Sequence, residues 1–187
     1  MRSGKRKNYR KLKNSAKLFR LYIVFTGIGL LCVISGFILI FSKLSYAKSQ
    51  IKLNNNSPVR LIIPSLRVYL PIVESEIVGT HWRISPTDVN HLVSSSNPGE
   101  NNNIVIYGHN KWEILGKLKD LEIGAQIDIK TVNGQIHTYQ IFDKKEVNQY
   151  AVAYIKPTNT EMLTIFTCSG WFDSKRLIIQ AQPIFHS

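Results

Sequence analysis

Residues 21–42 form an uncharged, apolar run, and this run divides the chain into parts of very different composition. As a helix it would be roughly 33 Å long, enough to cross a hydrocarbon core of about 30 Å. Residues 1–20 contain nine Lys and Arg and no acidic residue, so the positive-inside rule predicts a cytoplasmic N-terminus. We expect a transmembrane anchor at 21–42, a polar linker at 43–57 and one folded domain at 58–187.

A cleaved signal peptide is the alternative to a permanent anchor. Ser45, Tyr46 and Ala47 resemble a small-x-small cleavage site, but the apolar run is longer than the roughly 7–15 residues of a usual signal peptide core. We therefore favour an uncleaved anchor in contact with membrane lipid. The sequence then predicts a single-pass protein of the cell membrane whose folded domain is extracellular.

The net charge of +12 comes mostly from the N-terminal tail. Residues 44–187 contain 14 basic and 12 acidic residues, so the folded domain is nearly neutral. A nucleic-acid-binding face requires a concentrated basic surface, which this composition does not favour. Nucleic acid is therefore not expected as a partner.

The folded domain is patterned as short β-branched segments separated by turns. The predicted strands are Val59–Ile63, Val68–Val73, Ile104–Tyr107, Leu163–Cys168 and Arg176–Ala181, with a hairpin at Ile127–Phe142 around Asn133 and Gly134. Short helices are expected to start at Ser85 to Asp88 and to lie within residues 111–121. Many short strands and few helices predict a mostly β fold, a barrel or a sandwich.

Three residues of this domain could carry chemistry. Cys168 is its only cysteine and ends a predicted strand, and Arg176 begins the next strand. If these strands pair antiparallel, both residues lie at one end of the sheet. His109 closely follows the strand Ile104–Tyr107, but spacing alone does not tell whether it reaches the same end. A thiol, an imidazole and a guanidinium together support acyl transfer, in which a thiolate attacks a carbonyl, a histidine protonates the leaving amine and an arginine stabilises the oxyanion.

Each candidate also has a purely structural interpretation. A cysteine at the end of an apolar strand commonly fills core space, His109 could be a turn residue, and Arg176 could be a surface charge. Trp171, in the loop between Cys168 and Arg176, is either part of a substrate-binding wall or a packing residue. The chain has four other histidines: His81, His91, His137 and His186.

Three short motifs in this order resemble those of the sortase family, the membrane-anchored cysteine transpeptidases of bacterial surfaces. Thr164–Cys168 (TIFTC) is similar to the family's T-L-x-T-C motif, with Ile165 in place of leucine. Tyr107–His109 is similar to the family's glycine-histidine element after a strand, and Arg176–Ile179 is similar to the arginine that opens the last strand. The resemblance spans roughly residues 58–183.

The resemblance implies an eight-stranded sortase-type β-barrel with short helices. It implies His109 as general acid and base, Cys168 as nucleophile and Arg176 as oxyanion stabiliser, with Thr167 and Trp171 as assisting or substrate-binding residues. The implied substrate is a secreted protein with a C-terminal sorting signal similar to LPxTG, cleaved between Thr and Gly. The implied acceptor is an amine of a peptidoglycan precursor or a pilin lysine. No cofactor is expected, and no metal, since the sequence offers no acidic cluster typical of a calcium site.

The short loop between Cys168 and Arg176, and the lack of a second hydrophobic segment after the domain, look most like a sortase of class D or E. An L,D-transpeptidase also uses exported Cys, His and Arg residues, but its usual S-H-G-C-x-R cluster is absent. The alternative from another functional class is a catalytically inactive anchored β-domain that acts as a surface adhesin or assembly factor.

Overall fold

The computed structural model describes residues 23, 25–38 and 53–184. The basic tail at 1–20, both ends of the expected anchor, most of the expected linker and the C-terminal residues 185–187 with His186 lie outside the described residues. The chain divides into two units, Met1–Gln50 and Ile51–Ser187. In the first unit, residues 25–38 are α-helical. None of the helices in the described ranges is both long and apolar enough to span a membrane.

The second unit contains ten strands in its described part, and eight of them close into a barrel. In chain order they are β1 (Pro58–Ile63), β2 (Val68–Ser75), β3 (Ile77–Val78), β4 (His81–Trp82), β5 (Val89–Leu92), β6 (Asn103–Gly108), β7 (Gln126–Thr131), β8 (Ile136–Asn148), β9 (Met162–Ser169) and β10 (Lys175–Pro183). The order around the barrel is β1-β2-β5-β6-β9-β10-β8-β7, and β7 pairs with β1 to close it. The expected mostly β, eight-stranded barrel is confirmed. Strands β3 and β4 form a separate two-stranded ribbon.

Short 3-10 helices connect several of the strands. They are Pro64–Leu66, Gly116–Asp120, Val152–Ile155 and Trp171–Asp173. The helix expected within residues 111–121 is therefore present as a 3-10 turn at Gly116–Asp120.

Two of the barrel pairings are parallel, β2 with β5 and β6 with β9. The second of these brings the carboxyl ends of β6 and β9 to the same end of the barrel, with Gly108 opposite Thr167. The antiparallel pairing of β9 with β10 brings the start of β10 to that end as well. One end of the barrel therefore collects residues from three separate parts of the chain.

The β7–β8 hairpin shows how the sequence pattern builds the barrel. Ile127 and Ile129 of β7 face the interior with Tyr139 and Ile141 of β8, and all four are at most 1% exposed. Gly134 has a φ of +87° in the connecting turn, a conformation that glycine adopts without strain. The predicted hairpin is confirmed, and β8 continues beyond it to Asn148 because it also pairs with β10.

Strand β6 is buried on both faces, which explains its unbroken apolar run. Ile104 and Ile106 belong to the main core inside the barrel. Val105 and Tyr107 belong to a second cluster, against which Trp82 of β4 and other partly buried side chains pack. The β3–β4 ribbon therefore helps to cover the face of β6 that points away from the barrel core.

The prediction of a helix that starts at Ser85 is wrong. The Ser85 hydroxyl accepts a hydrogen bond from the Asp88 amide at 3.1 Å and donates to the Asp88 carboxylate at 3.0 Å, as at many helix starts. The chain nevertheless enters β5 at Val89, and every residue of β5 is buried. Burial of this strand between its neighbours outweighs the local helix signal.

Candidate active site

Cys168 and Arg176 face each other at one end of the barrel, as register partners in the antiparallel pairing of β9 with β10. Both side chains are half-buried. The Arg176 guanidinium is held by its Nη1 atom, which donates to the backbone carbonyls of Asp173 at 2.7 Å and Lys175 at 2.8 Å. Within the described ranges, Nε and Nη2 have no hydrogen-bond partner, so this edge of the guanidinium is available to a carbonyl oxygen.

His109 lies at the same end of the barrel, directly after β6. Its backbone is fixed on both sides. The Thr167 hydroxyl donates to the Gly108 carbonyl at 2.9 Å, and the Leu115 amide donates to the His109 carbonyl at 3.2 Å. The imidazole is half-buried, and no residue in the described part of the chain bonds to it. The parallel pairing of β6 with β9 is what brings this histidine to the end of the barrel that holds Cys168.

A cavity of about 170 Å³ opens beside the cysteine. Cys168, Thr167 and Arg176 line it, and so does Gly108, the residue before His109. His109 itself and Trp171 are not among its lining residues. The remaining lining residues are mostly apolar or aromatic. They come from β4 and the chain after it, from β6, β8, β9 and β10, and from the chain between β8 and β9: Trp82, Ile84, Tyr107, Val147, Asn148, Gln149, Ala151, Val152, Tyr154, Ile155, Phe166 and Ile178.

Three aromatic rings form one side of this cavity. Trp82 meets Tyr107 edge-to-face at 4.8 Å between ring centroids and meets Phe166 in the same way at 5.5 Å. Tyr107 and Phe166 are stacked at 5.5 Å. The Tyr107 hydroxyl donates to the Arg83 carbonyl at 2.9 Å, which satisfies its polar end. The cavity therefore presents a rigid apolar surface next to the thiol.

The sequence-based prediction missed these aromatic residues. Phe166 could have been found, because residues two apart on a strand share a face and Phe166 is two before Cys168. Trp82 carries no such local signal, since its position depends on how the β3–β4 ribbon packs on β6.

Burial raises the pKa of the Cys168 thiol above its ordinary value. The Arg176 guanidinium lowers this pKa in part, and the Asp173 carboxylate raises it. The net direction is upward, so the resting thiol is protonated at neutral pH. Attack on a carbonyl then needs a base to remove the proton.

Trp171 lies on the surface rather than in the core. Its side chain is 83% exposed and packs edge-to-face on Phe172, which is 90% exposed, with ring centroids 5.4 Å apart. The packing interpretation of Trp171 therefore does not apply. A contact with substrate stays a prediction for this residue.

The structure also separates His109 from the other described histidines. His91 is 1% exposed, and its ring nitrogens bond the Glu74 carboxylate at 2.8 Å and the Ser96 carbonyl at 3.0 Å. His81 and His137 belong to β4 and β8. Of the four, only His109 follows a strand that ends beside Cys168. Across the described ranges, no three His, Cys, Asp or Glu residues are grouped so that they could hold a metal ion.

Residues 61–184, well over half of the chain, match the family model described as the Sortase domain. The chain belongs to the sortase family. Sortases are cysteine transpeptidases, so the resemblance seen in the three motifs is confirmed at the level of family and enzyme type. A search of curated protein sequences finds no match to this sortase.

Solved sortases of classes A, C and D share the fold. Sortase C-1 from Actinomyces oris is 26% identical with a TM-score of 0.60, covering 70% of this chain and 74% of that chain. The sortase D5 transpeptidase from Clostridium perfringens is 22% identical with a TM-score of 0.61, covering 72% and 83%. A lid mutant of sortase A from Corynebacterium diphtheriae is 19% identical with a TM-score of 0.60, covering 74% of each chain. The TM-scores are nearly equal, so these similarities do not favour one class.

Proposed function

We propose that this sortase cleaves a C-terminal sorting signal similar to LPxTG between its Thr and Gly residues and transfers the protein to an amine. The observation that carries the proposal is the facing position of Cys168 and Arg176 at an apolar cavity. An extended peptide with apolar side chains suits such a cavity, because aromatic rings exclude water around it. Its scissile carbonyl would lie between the thiol and the guanidinium.

In the first half-reaction, His109 accepts the proton of the Cys168 thiol, and the sulfur attacks the carbonyl carbon of the signal's threonine. The free edge of the Arg176 guanidinium donates to the oxygen that becomes negative. His109 then passes the proton to the nitrogen of the leaving glycine, and the peptide bond breaks. The product is a thioester on Cys168 with a free amino terminus on the released fragment.

In the second half-reaction, an amine attacks the thioester carbonyl and the thiol is released. The amine gives its proton to His109, and the proton returns to the departing sulfur. The acceptor we propose is an amine of a peptidoglycan precursor or a pilin lysine.

Thr167 and Trp171 have secondary roles in this proposal. The Thr167 hydroxyl holds the Gly108 carbonyl and thereby the backbone from which His109 projects. Trp171 presents an exposed indole three residues after the nucleophile, where substrate on either side of the scissile bond would pass.

The proposed location is the cell membrane, with residues 21–42 as a single-pass anchor, the N-terminus cytoplasmic and the catalytic domain extracellular. The uncharged run and the basic tail before it support this topology. Protease added outside intact cells should digest the catalytic domain and spare the tail, and protection of the domain would reject the topology.

The function is tested by incubating the full-length protein in detergent with a panel of sorting-signal peptides and candidate amines. Mass spectrometry should show cleavage between Thr and Gly and a new amide with the amine. Cys168→Ala should abolish both products, and the matched variant Cys32→Ala should retain them. Cleavage by Cys168→Ala would reject the thioester mechanism, and the absence of any cleavage by the wild type would favour an inactive domain.

A further inference from the structure

One side of the cavity beside Cys168 is formed by chain that has no strand partner. We call residues 149–156, which follow β8 on the way to β9, the cavity wall. Five of its residues line the cavity: Gln149, Ala151, Val152, Tyr154 and Ile155. The backbone of the wall contains only the 3-10 turn Val152–Ile155 and a few local bonds, such as the Lys156 amide to the Ala153 carbonyl at 3.4 Å. Its position therefore depends on contacts to the barrel.

The main polar contact comes from Asn103 at the start of β6, which is 3% exposed. Its amide nitrogen donates to the backbone carbonyls of Tyr154 at 2.9 Å and Lys156 at 3.0 Å. The side-chain oxygen accepts a hydrogen bond from the Thr164 hydroxyl at 2.8 Å. Both amide protons are thus used on the wall, and the oxygen is turned toward β9.

Thr164 is the first threonine of the segment Thr164–Cys168, and it is completely buried. It lies four residues before the nucleophile, and the proposed reaction gives it no chemical step. Because both wall groups are carbonyl acceptors, Asn103 must point its nitrogen toward them, and Thr164 then donates to the oxygen that faces β9. The hydroxyl of Thr164 therefore fixes which way the Asn103 amide points.

A neighbouring contact extends the attachment. The side-chain oxygen of Asn102 accepts hydrogen bonds from the backbone N–H groups of Thr158 and Asn103, each at 2.8 Å. The chain is thus held at Tyr154, Lys156 and Thr158 by two consecutive asparagines, Asn102 just before β6 and Asn103 at its start. Cys168 and Arg176 are held separately, by the β9–β10 ladder.

We propose that Asn103, oriented by Thr164, is a positioning residue that holds the cavity wall in place and thereby sets how tightly the sortase binds its peptide. The proposal rests on the proposed function for its substrate. When the wall carbonyls lose their donor, Tyr154 and Ile155 lose their fixed distance from the aromatic rings, so peptide binding weakens. The chemical step changes little, because the nucleophile and the arginine keep their own ladder.

Two substitutions that preserve side-chain shape separate this role from general stability. Asn103→Asp keeps the acceptor for Thr164 and replaces the nitrogen that donates to the wall. Thr164→Val removes only the hydroxyl, and Thr164→Ser retains it. The matched control is Thr138→Val, which removes a barrel hydroxyl that donates to the Asp128 carboxylate at 2.8 Å in the β7–β8 hairpin.

Steady-state kinetics with a cleaved sorting-signal peptide should show KM raised about 5- to 50-fold in Asn103→Asp and Thr164→Val, with kcat within about twofold of the wild type. Thr164→Ser and Thr138→Val should leave KM within about twofold. Amide hydrogen exchange in residues 150–158 should accelerate only in the first two variants. The proposal would be overturned if both Asn103→Asp and Thr164→Val left KM unchanged or lowered only kcat. It would also be overturned if amide hydrogen exchange were unchanged in both variants.

A separate measurement keeps this inference distinguishable from the proposed function. If the wild type cleaves no peptide, the proposed function fails, and the cavity wall is then tested by alkylation of Cys168 in a Cys32→Ala background. The rate with N-phenylmaleimide, whose ring can use the cavity, should fall relative to the rate with iodoacetamide in Asn103→Asp and Thr164→Val. An unchanged ratio of the two rates would overturn the inference.

Discussion

Arg176 is the cross-strand partner of Cys168 in the antiparallel pairing of β9 with β10. The guanidinium lowers the pKa of the thiol, but burial, the largest influence, and the Asp173 carboxylate raise it, and the net direction is upward. Arg176 therefore does not produce a resting thiolate. Its free edge is better suited to stabilise negative charge on a carbonyl oxygen during the reaction.

The raised pKa predicts how the reactivity of Cys168 depends on pH. Only the thiolate reacts with iodoacetamide, so the alkylation rate should rise with pH and reach its midpoint above the ordinary thiol value of about 8.5. Asp173→Asn removes a charge that raises the pKa, so the midpoint should move down. Arg176→Gln removes a charge that lowers it, so the midpoint should move up. Mass spectrometry of Cys32→Ala protein measures these rates, and shifts in the opposite directions would contradict the electrostatic assignment.

Arg176 is expected to act mainly on the chemical step. Arg176→Gln should lower kcat about 10²- to 10³-fold, the usual effect of losing one oxyanion donor. The control is Lys175→Gln, which removes the neighbouring exposed cation, whose Nζ lies 3.4 Å from the Glu146 carboxylate. Its activity should stay near that of the wild type, because exposed ion pairs contribute little. If Arg176→Gln and Lys175→Gln lowered kcat equally, the loss would come from the change in the protein's net charge and not from the position of Arg176.

His109 is expected to be the proton carrier of the reaction. His109→Gln should lower kcat about 10²- to 10⁴-fold, the range typical of a lost general acid or base. His81→Gln, a change at an exposed histidine of β4, is the matched control and should retain activity. Steady-state cleavage assays measure kcat for the two variants. Wild-type rates from His109→Gln would remove the residue from the mechanism.

Thr167 is expected to contribute stability through its bond to the Gly108 carbonyl. Thr167 is 2% exposed, so Thr167→Val leaves this carbonyl with one hydrogen bond fewer at a site that water does not reach. The free energy of unfolding should fall by about 1–3 kcal/mol, while Thr167→Ser should recover most of it. Urea unfolding followed by tryptophan fluorescence measures both. A valine variant as stable as the wild type would show that the bond is not needed.

Elements defined by short spans of chain were predictable from the sequence. The alternation of Ile127 and Ile129, followed by the turn at Asn133 and Gly134, was sufficient for the β7–β8 hairpin. One exception was the helix expected at Ser85, where hydrogen bonds typical of a helix start form within an extended segment. There the burial of β5 between β2 and β6 decided the backbone conformation.

The sequence by itself predicted that Cys168 and Arg176 lie at one end of the sheet if their strands pair antiparallel, because only a short loop joins these strands, and the structure shows that pairing. Tertiary structure alone decided that His109 lies at the same end, since this depends on the parallel pairing of β6 with β9 between residues 59 positions apart. It also decided that Asn103 reaches the cavity wall across a similar separation. The physical reason is that a turn depends on a few local torsions, whereas strand order around a closed barrel depends on the burial of the whole core.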